Sequence, residues 1–462
     1  MQNKAQSITA INVEKLFGLY TYSLPREGGF SEANILYGDN GAGKSTLLRL
    51  AFHLLSPANN RGHRTALYQT SFARFEVHLS SGHVLVALRD PKSPEVLRLT
   101  INKGRNVEAR WNYLPQHLRG DVDFDFEEEF GYLLVDRDGR VVRRKKAKAR
   151  SAPEETPSNM EAYLEALDQI APTVFILDAE RKLNSDTIAD PSDEVEFRRY
   201  FTPGKAKDLH GLVRRSREIA LTQALTSAAR WISRKAIARS NEGAQNVNSF
   251  YIEVLKRLSS QDSSGSSEKM NEFDLLQKIE EIEVASRALA KYELASEIDT
   301  TQFRKALAWR KKDQRTLAVE LLKPYLQSLE SRHETSRSLY EIVDRFVSMA
   351  NALLRDKTLK YKLSGGFEIE NRLGEPLKPE DLSSGEQQLL LLFCNVLAAR
   401  DHSSVFMIDE PELSLNLKWQ RTLVQSLLEI TDGSPIQFLF ASHSMELLTQ
   451  HRNRVVQLQE EA

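Results

Sequence analysis

The stretch that decides the fold is Gly38-Asp39-Asn40-Gly41-Ala42-Gly43-Lys44-Ser45. It matches the phosphate-binding loop pattern G-x-x-x-x-G-K-[S/T] at every fixed position. The apolar run Ile35-Leu36-Tyr37 before it predicts a strand, and the leucines from Leu47 to Leu50 after it predict a helix. Glycines let a loop wrap closely round an anion, and the N-terminus of the following helix adds positive potential. The stretch therefore predicts a site for a nucleotide phosphate group.

The last residues of this loop carry its chemistry. Lys44 is expected to reach the β- and γ-phosphates, and the Ser45 hydroxyl is expected to hold Mg²⁺. An ordinary glycine-rich turn is the alternative interpretation. The coincidence of strand, loop and helix signals favours the phosphate site.

Composition restricts the class of protein. The 462 residues are enough for two or three domains. A net charge of -1 gives no global field that would attract nucleic acid. Any contact with nucleic acid must therefore be made by a local basic patch. The single cysteine, Cys394, excludes an internal disulfide and a zinc cluster, which suits a reducing cytoplasm. Met1 to Ser7 lacks the features of a leader, and no apolar stretch approaches the ~20 residues that span a bilayer. We expect a soluble cytoplasmic protein without a membrane partner.

Short strands are predicted on both sides of the phosphate loop. Ile8 to Val13 and Leu19 to Leu24 alternate as strands do, and Phe72 to Leu79 and Val84 to Leu88 flank a glycine-containing turn. Val96 to Ile101 is expected to add another strand. Together they predict an antiparallel layer beside the nucleotide.

The segment after this layer is less regular. A further hairpin is predicted at Tyr132 to Val142, and the basic cluster from Arg143 to Arg150 follows it. That cluster is either a solvated loop or a contact with nucleic acid or a partner. Ser151 to Asn159, rich in Pro and Glu, predicts a linker, and Pro172 to Leu177 predicts a buried strand.

Long helical segments are predicted from about Thr202 onward. Lys205 to Leu258 carries 11 basic and 4 acidic residues, a local net charge of +7. This segment is either a solvated helix or a surface for phosphates or an acidic protein. Ser259 to Ser267 predicts a flexible turn, and Asn271 to Leu354 predicts a returning helix. The order of helix, turn and helix predicts a hairpin insertion.

Interruptions and a packing seam are predicted within these helices. Asn241-Glu242-Gly243 and Pro324 predict breaks. Apolar residues near the end of the insertion recur at steps of three and four, the spacing of a seam that packs on another helix. They are Leu339, Ile342, Phe346, Met349 and Leu353.

The last hundred residues supply more candidate chemistry. Leu382 to Gln388 opens an apolar helix and places serine hydroxyls and the Gly385 N–H at its N-terminus, as a second anion site or simply a capped helix. Val405 to Glu410 predicts a buried strand that ends in two carboxylates. Ile436 to Ala441 predicts another such strand, followed by Ser442-His443-Ser444.

The order of these motifs resembles that of ABC-type ATPases, and the long helical insertion resembles the SMC, Rad50, RecF and OLD branch rather than transporter subunits. Ser384 stands where many relatives have glycine, and Asn416 stands where aspartate is common. A Q-loop is not located securely. The motifs that carry the resemblance are Walker A (Gly38 to Ser45), the signature (Leu382 to Gln388), Walker B (Val405 to Glu410), the D-loop (Ser414-Leu415-Asn416) and the switch histidine His443. The Q-loop candidates are Gln69, Gln116 and the Glu180-Arg181 corner. The Glu180-Arg181 corner fits best.

The resemblance implies an α/β fold. It would be an ABC-type ATPase head with a mixed sheet, an antiparallel β layer and a P-loop core, carrying a helical hairpin or coiled-coil insertion. The expected domains are a first ATPase lobe at residues 1–201, the insertion at 202–362 and a second lobe at 363–462.

The resemblance also implies a residue-level site for ATP and Mg²⁺. Glu410 would polarise the attacking water, and His443 and Lys44 would contact the γ-phosphate. Ser45 and Asp409 would hold Mg²⁺. A second subunit would complete the site with its signature helix, so the minimum unit would be a homodimer. The implied nucleotide-binding residues are Gly38, Asn40, Gly41, Gly43, Lys44, Ser45, Thr46, Ser383, Gly385 and Glu386.

The layout favours one group within this branch. Ser259 to Ser267 has no C-x-x-C hook, which disfavours a Rad50-like tether. The sequence ends soon after His443, so we expect no TOPRIM nuclease within it. The layout most resembles the ATPase subunits of PARIS anti-phage systems. That resemblance implies a homo-oligomeric scaffold that holds a separate TOPRIM-type nuclease and responds to a phage anti-restriction protein.

Two alternatives belong to other functional classes. A RecF-like repair ATPase would bind duplex DNA through phosphate contacts, with an affinity that falls steeply as salt rises. A transport motor would need a membrane partner, and the sequence offers no evident docking segment for one.

Overall fold

The computed structural model describes residues 6–59, 61–115, 157–178, 183–186, 218–239, 272–308, 312–412 and 417–460. The chain divides into two compact units. The first unit comprises Met1–Ala189, His402–Leu413 and Pro435–Ala462, and the second comprises Asp190–Asp401 and Ser414–Ser434. The first unit therefore takes elements from both ends of the chain.

Strands and helices alternate irregularly along the chain. The first part contains β1 (Ile8–Leu16), β2 (Tyr20–Leu24), β3 (Ala33–Tyr37), α1 (Lys44–Leu55), α2 (His63–Gln69), β4 (Arg74–Leu79), β5 (His83–Arg89), β6 (Leu97–Lys103), β7 (Asn106–Tyr113), α3 (Pro157–Ile170), β8 (Thr173–Leu177) and β9 (Leu183–Asn184). The rest contains α4 (helical over residues 218–239), α5 (Glu272–Ala290), α6 (Thr301–Leu307), α7 (Lys312–Leu353), β10 (Lys357–Lys362), β11 (Gly366–Asn371), β12 (Pro376–Leu377), α8 (Ser384–Ala398), β13 (Ser404–Asp409), α9 (Leu417–Thr431), β14 (Ile436–Ala441), α10 (Met445–Gln450) and β15 (Val455–Gln457).

A mixed sheet in the first unit positions the candidate site. Its strand order is β15-β3-β14-β13-β8-β9, and every neighbouring pair is parallel except β8 with β9. All six residues of β13 and of β14 are buried, as expected of strands covered on both faces. The carboxyl ends of β3, β8, β13 and β14 therefore share one edge of the sheet.

A second sheet in the same unit is fully antiparallel, with the order β2-β1-β4-β5-β6-β7. Burial alternates along β4 and β6, so one face of this sheet meets the core. Helix α1 contacts strands of both sheets, which explains why it is apolar on several sides. The fold is therefore α/β, and the predicted antiparallel layer is confirmed. Strand β7 was not expected, since Trp111 is its one buried residue.

The second unit contains a helical core shared by α5, α6 and α7. The returning helix predicted over Asn271 to Leu354 is three helices, with residues 291–300 outside them. The break predicted at Pro324 is wrong because α7 continues through it. Proline has no backbone N–H, so one hydrogen bond of the helix is lost at Pro324. Packing of the turns that follow it offsets this loss. The core side chains are Leu275, Ile279, Ile282, Leu307, Leu326 and Leu329.

The predicted seam on α7 is confirmed in part. Leu339, Phe346 and Leu353 are buried. Val343 and Val347 are buried beside them, while Ile342 and Met349 are half-buried. The buried stripe is therefore wider than the predicted one, as is usual for a helix that packs on more than one neighbour.

The small antiparallel sheet β10-β11-β12 follows α7, and helices α7, α8 and α9 contact one another. The expected domain boundaries, at residues 201 and 362, stay predictions. Strand β13 pairs with β8, and β14 pairs with β3, so both late strands join the first unit. The preceding helix α8 belongs to the second unit.

Several predictions lie outside the described residues. They are the hairpin at 132–142, the basic cluster at 143–150, the break at 241–243, the turn at 259–267 and the D-loop at 414–416. The predicted linker at 151–159 is described only at its end, where α3 begins at Pro157. None of the helices that the structure describes is both long and apolar enough to cross a membrane.

Candidate functional site

The phosphate loop connects β3 to α1. Gly43 precedes the first residue of the helix with a φ of 87°. A Cβ built on Gly43 would lie 2.6 Å from Leu16 Cδ2. The left-handed backbone therefore favours glycine at this position, and a Cβ here would force the Leu16 side chain to shift.

A tyrosine on β2, in the antiparallel sheet, contacts the loop. The Tyr22 hydroxyl donates a hydrogen bond to the Ala42 carbonyl oxygen at 3.1 Å. Burial raises the pKa of Tyr22 to about 12, so this hydroxyl stays a neutral donor. The Ala42 N–H donates to the Asp39 carbonyl oxygen at 3.2 Å. These bonds keep the loop in a shape that can accept an anion.

Lys44 lies across this loop and is only 5% exposed. Its Nζ donates to the carbonyl oxygens of Gly38 and Asp39, at 2.7 and 2.9 Å. Burial lowers the pKa of Lys44, and the nearby Glu410 carboxylate opposes that shift. A phosphate oxygen offers the same kind of acceptor with a full charge, so the position suits a triphosphate.

Ser45 and Asp409 meet at the carboxyl edge of the mixed sheet. The Ser45 hydroxyl donates to Asp409 Oδ1 at 2.7 Å, and Asp409 is 3% exposed. Burial raises the pKa of Asp409, and the Ser45 hydrogen bond opposes that shift. An Arg49 nitrogen lies 4.0 Å from Asp409 Oδ2. Hydroxyl and carboxylate oxygens are ligands that Mg²⁺ prefers, so the pair fits this ion.

The side-chain oxygens of Ser45 and Asp409 are too few to hold Mg²⁺ without other ligands. Within the described ranges no group of three His, Cys, Asp or Glu residues could hold a metal ion. Mg²⁺ in nucleotide sites is usually held by one or two protein ligands together with phosphates and water. The Ser45 and Asp409 pair therefore suits Mg²⁺ that arrives with a nucleotide.

Glu410 follows β13 with a φ of 48°, a left-handed value that is uncommon for glutamate. Its N–H donates to the Ala441 carbonyl oxygen at 2.8 Å, which fixes the backbone there. His443 Nε2 lies 3.6 Å from Glu410 Oε1, and both side chains are partly exposed. The His443 N–H donates to Glu412 Oε1 at 2.8 Å. The strained backbone holds a carboxylate beside an imidazole at the open edge of the sheet.

The residue that follows β8 contributes to the charge at this edge. Strand β8 pairs with β13, and Asp178 follows it. The negative charge of Asp178 contributes to the raised pKa of Asp409, after burial and the charge of Glu410. Glu180-Arg181 and Gln116 lie outside the described residues, and Gln69 ends helix α2. The Q-loop assignment stays a prediction.

The signature residues form a capped helix N-terminus in the second unit. Ser383 Oγ accepts a hydrogen bond from the Glu386 N–H at 3.4 Å, and the Ser383 N–H donates to Glu386 Oε2 at 2.7 Å. Lys357 Nζ also donates to Glu386 Oε2, at 2.8 Å. Glu386 thus supports the helix tip. Nucleotide contacts from Ser383, Gly385 and Glu386 stay predictions.

The structure brings most of the predicted residues of the first unit together. The loop from Gly38 to Ser45, the carboxylates Asp409 and Glu410, and His443 are at the carboxyl edge of one sheet. Asn40 lies in the loop, and Thr46 lies in the first turn of α1. A direct role for these last two in nucleotide binding stays a prediction.

Sequence reasoning missed Phe17. This residue lies in the turn between β1 and β2 and has a φ of 57°, and Lys15, near the end of β1, has a φ of 52°. Phe17 Cε2 is 3.4 Å from the Cβ position built on Gly43, and Phe17 is 44% exposed. A half-exposed aromatic ring held by a strained turn beside a phosphate loop is suited to stacking on a nucleobase. The available signal was an aromatic residue, Phe17, between the strands predicted at Ile8 to Val13 and Leu19 to Leu24.

The family described as "AAA domain, putative AbiEii toxin, Type IV TA system" matches residues 33–449, which include the loop, both carboxylates and His443. The chain belongs to this family. As an AAA domain it is a P-loop protein of an ATPase class, and its ligand is expected to be a nucleotide with Mg²⁺.

Two solved structures that the AAA domain resembles are Smc head domains. One, from Pyrococcus furiosus, has an extended coiled coil and is bound to the C-terminal domain of ScpA; it is 14% identical, with 96% of this chain and 92% of that chain covered and a TM-score of 0.34. The other, from Pyrococcus yayanosii, has a coiled coil and joint; it is 14% identical, with 96% and 93% covered and a TM-score of 0.34. No curated protein matches the chain.

Proposed function

We propose that the protein binds ATP with Mg²⁺ and hydrolyses it to ADP and phosphate. The observation that carries this proposal is the 2.7 Å hydrogen bond between Ser45 and Asp409, with Glu410 following directly. Mg²⁺ would supply charge stabilisation on the β- and γ-phosphate oxygens. The family match supports a nucleotide as the ligand.

Three side chains, those of Lys44, Glu410 and His443, would have separate roles in hydrolysis. Lys44 leaves the two loop carbonyls and donates to the γ-phosphate, where negative charge spreads in the transition state. Glu410 orients a water molecule and accepts its proton as the new oxygen–phosphorus bond forms. The bond between the γ-phosphorus and the bridging oxygen breaks, and ADP leaves. His443, 3.6 Å from Glu410, is placed to donate to the departing phosphate.

Phosphate release tests this activity directly. Wild-type protein should release phosphate from ATP when Mg²⁺ is present and should stop when EDTA removes it. Asp409→Asn should raise the Mg²⁺ concentration that half-maximal phosphate release requires, while the loop still binds the triphosphate. Equal phosphate release with and without EDTA would refute the proposed chemistry.

A second copy of the chain would complete each site. The resemblance to ABC-type ATPases supports this part, because the signature helix of those proteins faces the nucleotide of a partner subunit. In this chain Ser383 caps α8, and Gly385 lies in its first turn. The N–H groups of that turn would then face the γ-phosphate held by the other copy.

The biological role that we propose is a sensor and scaffold in bacterial anti-phage defence. The protein would hold a separate TOPRIM-type nuclease and release it when a phage anti-restriction protein is sensed. The resemblance to PARIS ATPase subunits supports this role, and the family description places related domains in toxin–antitoxin systems. Co-expression with the product of the neighbouring reading frame, which this role predicts to be a TOPRIM-type nuclease, tests it. Failure of the two proteins to co-purify, together with no protection against phage, would refute this role and leave the ATPase proposal intact.

A RecF-like repair ATPase is the second candidate. Arg230 and Arg234 are exposed and lie four residues apart on α4, so they share one face of the helix. Duplex DNA would bind such a face with an affinity that falls steeply as salt rises. Binding that is lost when both arginines are changed to glutamine would favour this candidate over the defence role.

A further inference from the structure

A groove of about 730 Å³ is formed by helices α5 and α7 of the second unit. The buried side chains of Ile282 and Leu289 line it, together with the small residues Ala285 and Ala288. Val284 also lines the groove and is 62% exposed. An apolar groove with an exposed β-branched residue at its edge is typical of a surface that binds another polypeptide.

The charged side chains along the groove are mostly acidic, with five glutamates against one lysine and one arginine, a net charge of -3. Both cations are already paired within the groove. Lys278 Nζ lies 2.7 Å from a Glu330 oxygen, and Arg337 Nε lies 3.0 Å from a Glu341 oxygen. The remaining carboxylates, including Glu281, give the groove an excess of negative charge.

A buried histidine in the groove adds an independent observation. His333 is 9% exposed and lines the groove from α7. None of the described residues forms a hydrogen bond with its Nδ1. Burial lowers the pKa of His333, so the ring is neutral and one ring nitrogen must accept a hydrogen bond. Buried polar atoms normally have a partner, so this nitrogen marks a wall of the groove whose packing is incomplete in the isolated chain.

We propose that this groove binds a basic amphipathic helix of a partner protein. The apolar face of that helix would pack on Ile282 and Ala285, while its lysines or arginines would meet the glutamates. The excess negative charge repels phosphate groups, so nucleic acid is a poor occupant. This surface is independent of the nucleotide chemistry and gives the helical core of α5, α6 and α7 a role of its own.

A dye at the edge of the groove tests the proposal. Cys394 is fully buried, so a cysteine introduced as Val284→Cys can be labelled selectively in the full chain. Ile237→Cys is the matched control, because Ile237 on α4 is also 62% exposed. The probes are two synthetic helical peptides with the same leucine face, one with lysines and the other with glutamates on the polar face.

The lysine peptide should change the emission of the dye at position 284 and should bind at least about 10-fold more tightly than the glutamate peptide at low salt. The dye at position 237 should not respond. Changing Glu281 and Glu334 together to lysine should weaken binding of the lysine peptide by about 10-fold or more.

Three results would overturn the proposal. Equal binding of the two peptides would show that charge does not select the occupant. No binding of either peptide would show that the groove is not a docking surface. A response of the dye at 284 to the concentration of the protein itself would make this face an interface between copies of the chain.

Discussion

At the end of the phosphate loop, Gly43 has a φ of 87° and leaves no room for a Cβ beside Leu16. Lys44 and Ser45 follow it, and their side chains reach the loop carbonyls and Asp409. The fixed spacing of these three residues in the sequence therefore fixes where their side chains lie in the site. The side chains of the loop are thus positioned by contacts that the protein itself supplies.

Glu410→Gln isolates the proposed catalytic base. The amide cannot accept the proton of the attacking water, so turnover should fall on the order of 10²–10⁴ while ATP affinity stays close to that of wild type. Phosphate release and calorimetric ATP binding measure the two effects. The exposed Glu27→Gln is the control. Unchanged turnover in Glu410→Gln would remove Glu410 from the mechanism.

Phe17→Ala tests stacking on the base. Stacking of one base on an aromatic ring contributes about 1–3 kcal/mol, so ATP affinity should fall by about 5-fold or more. Inorganic tripolyphosphate, which lacks a base, should bind the variant as it binds wild type. Leu19→Ala is the matched control, since Leu19 is exposed in the same turn. A parallel loss of tripolyphosphate binding would mean that Phe17 only supports the loop.

The motif residues of the site can be predicted from the sequence, whereas Phe17 cannot. The motif pattern places Lys44 and Ser45, and a buried strand that ends in carboxylates indicates Asp409 and Glu410. Phe17 belongs to no pattern of fixed spacing. Its position depends on how the turn between β1 and β2 folds over the loop, which is a tertiary contact.

At the scale of elements, buried strands were predicted best. Strands β8, β13 and β14 are continuous apolar runs because parallel strands are covered on both faces. Strands β10 and β11 were not predicted, although Gly365 and Gly366 mark their turn. The alternation in β10 is regular but short, because Leu359 and Tyr361 are its two buried residues. Pro324 was misjudged because packing outweighed its local propensity.

The C-terminal turn of α1 carries a titratable cluster. His53 Nδ1 lies 2.9 Å from His63 Nδ1, and His63 Nε2 lies 2.9 Å from Asp186 Oδ1. Burial, with a further contribution from His63, lowers the pKa of His53 to about 3. The charges that face His53 also include Arg49 and Arg64. The folded state therefore keeps this imidazole neutral.

This cluster makes stability depend on pH. Between pH 6.5 and about 3 the unfolded His53 binds a proton that the folded one does not. The free energy of unfolding should therefore fall as pH drops below about 6.5, by at most about 1.4 kcal/mol per pH unit. Urea unfolding across this range measures the slope. His53→Gln should flatten it, and His402→Gln, at an exposed position, should not. An unchanged slope in His53→Gln would contradict the assignment.

At the scale of the whole molecule, the family match covers residues 33–449 and so includes both compact units. The phosphate loop, Asp409, Glu410 and His443 belong to the first unit, and the signature helix α8 belongs to the second. The sequence order of the motifs does not reveal this division, since parallel pairing returns β13 and β14 to the first unit. The proposed site needs the first unit of one copy and the second unit of another.

Mixing two inactive variants tests this central claim most directly. Lys44→Ala removes the phosphate contact but keeps the signature helix, whereas Gly385→Glu keeps the loop and places a carboxylate where the γ-phosphate of the other copy would lie. If copies exchange at random, about half of the dimers are mixed and each has one intact site, so the mixture should recover about a quarter of wild-type ATP turnover. Turnover in the mixture no greater than the sum of the two variants alone would contradict a site shared between two copies.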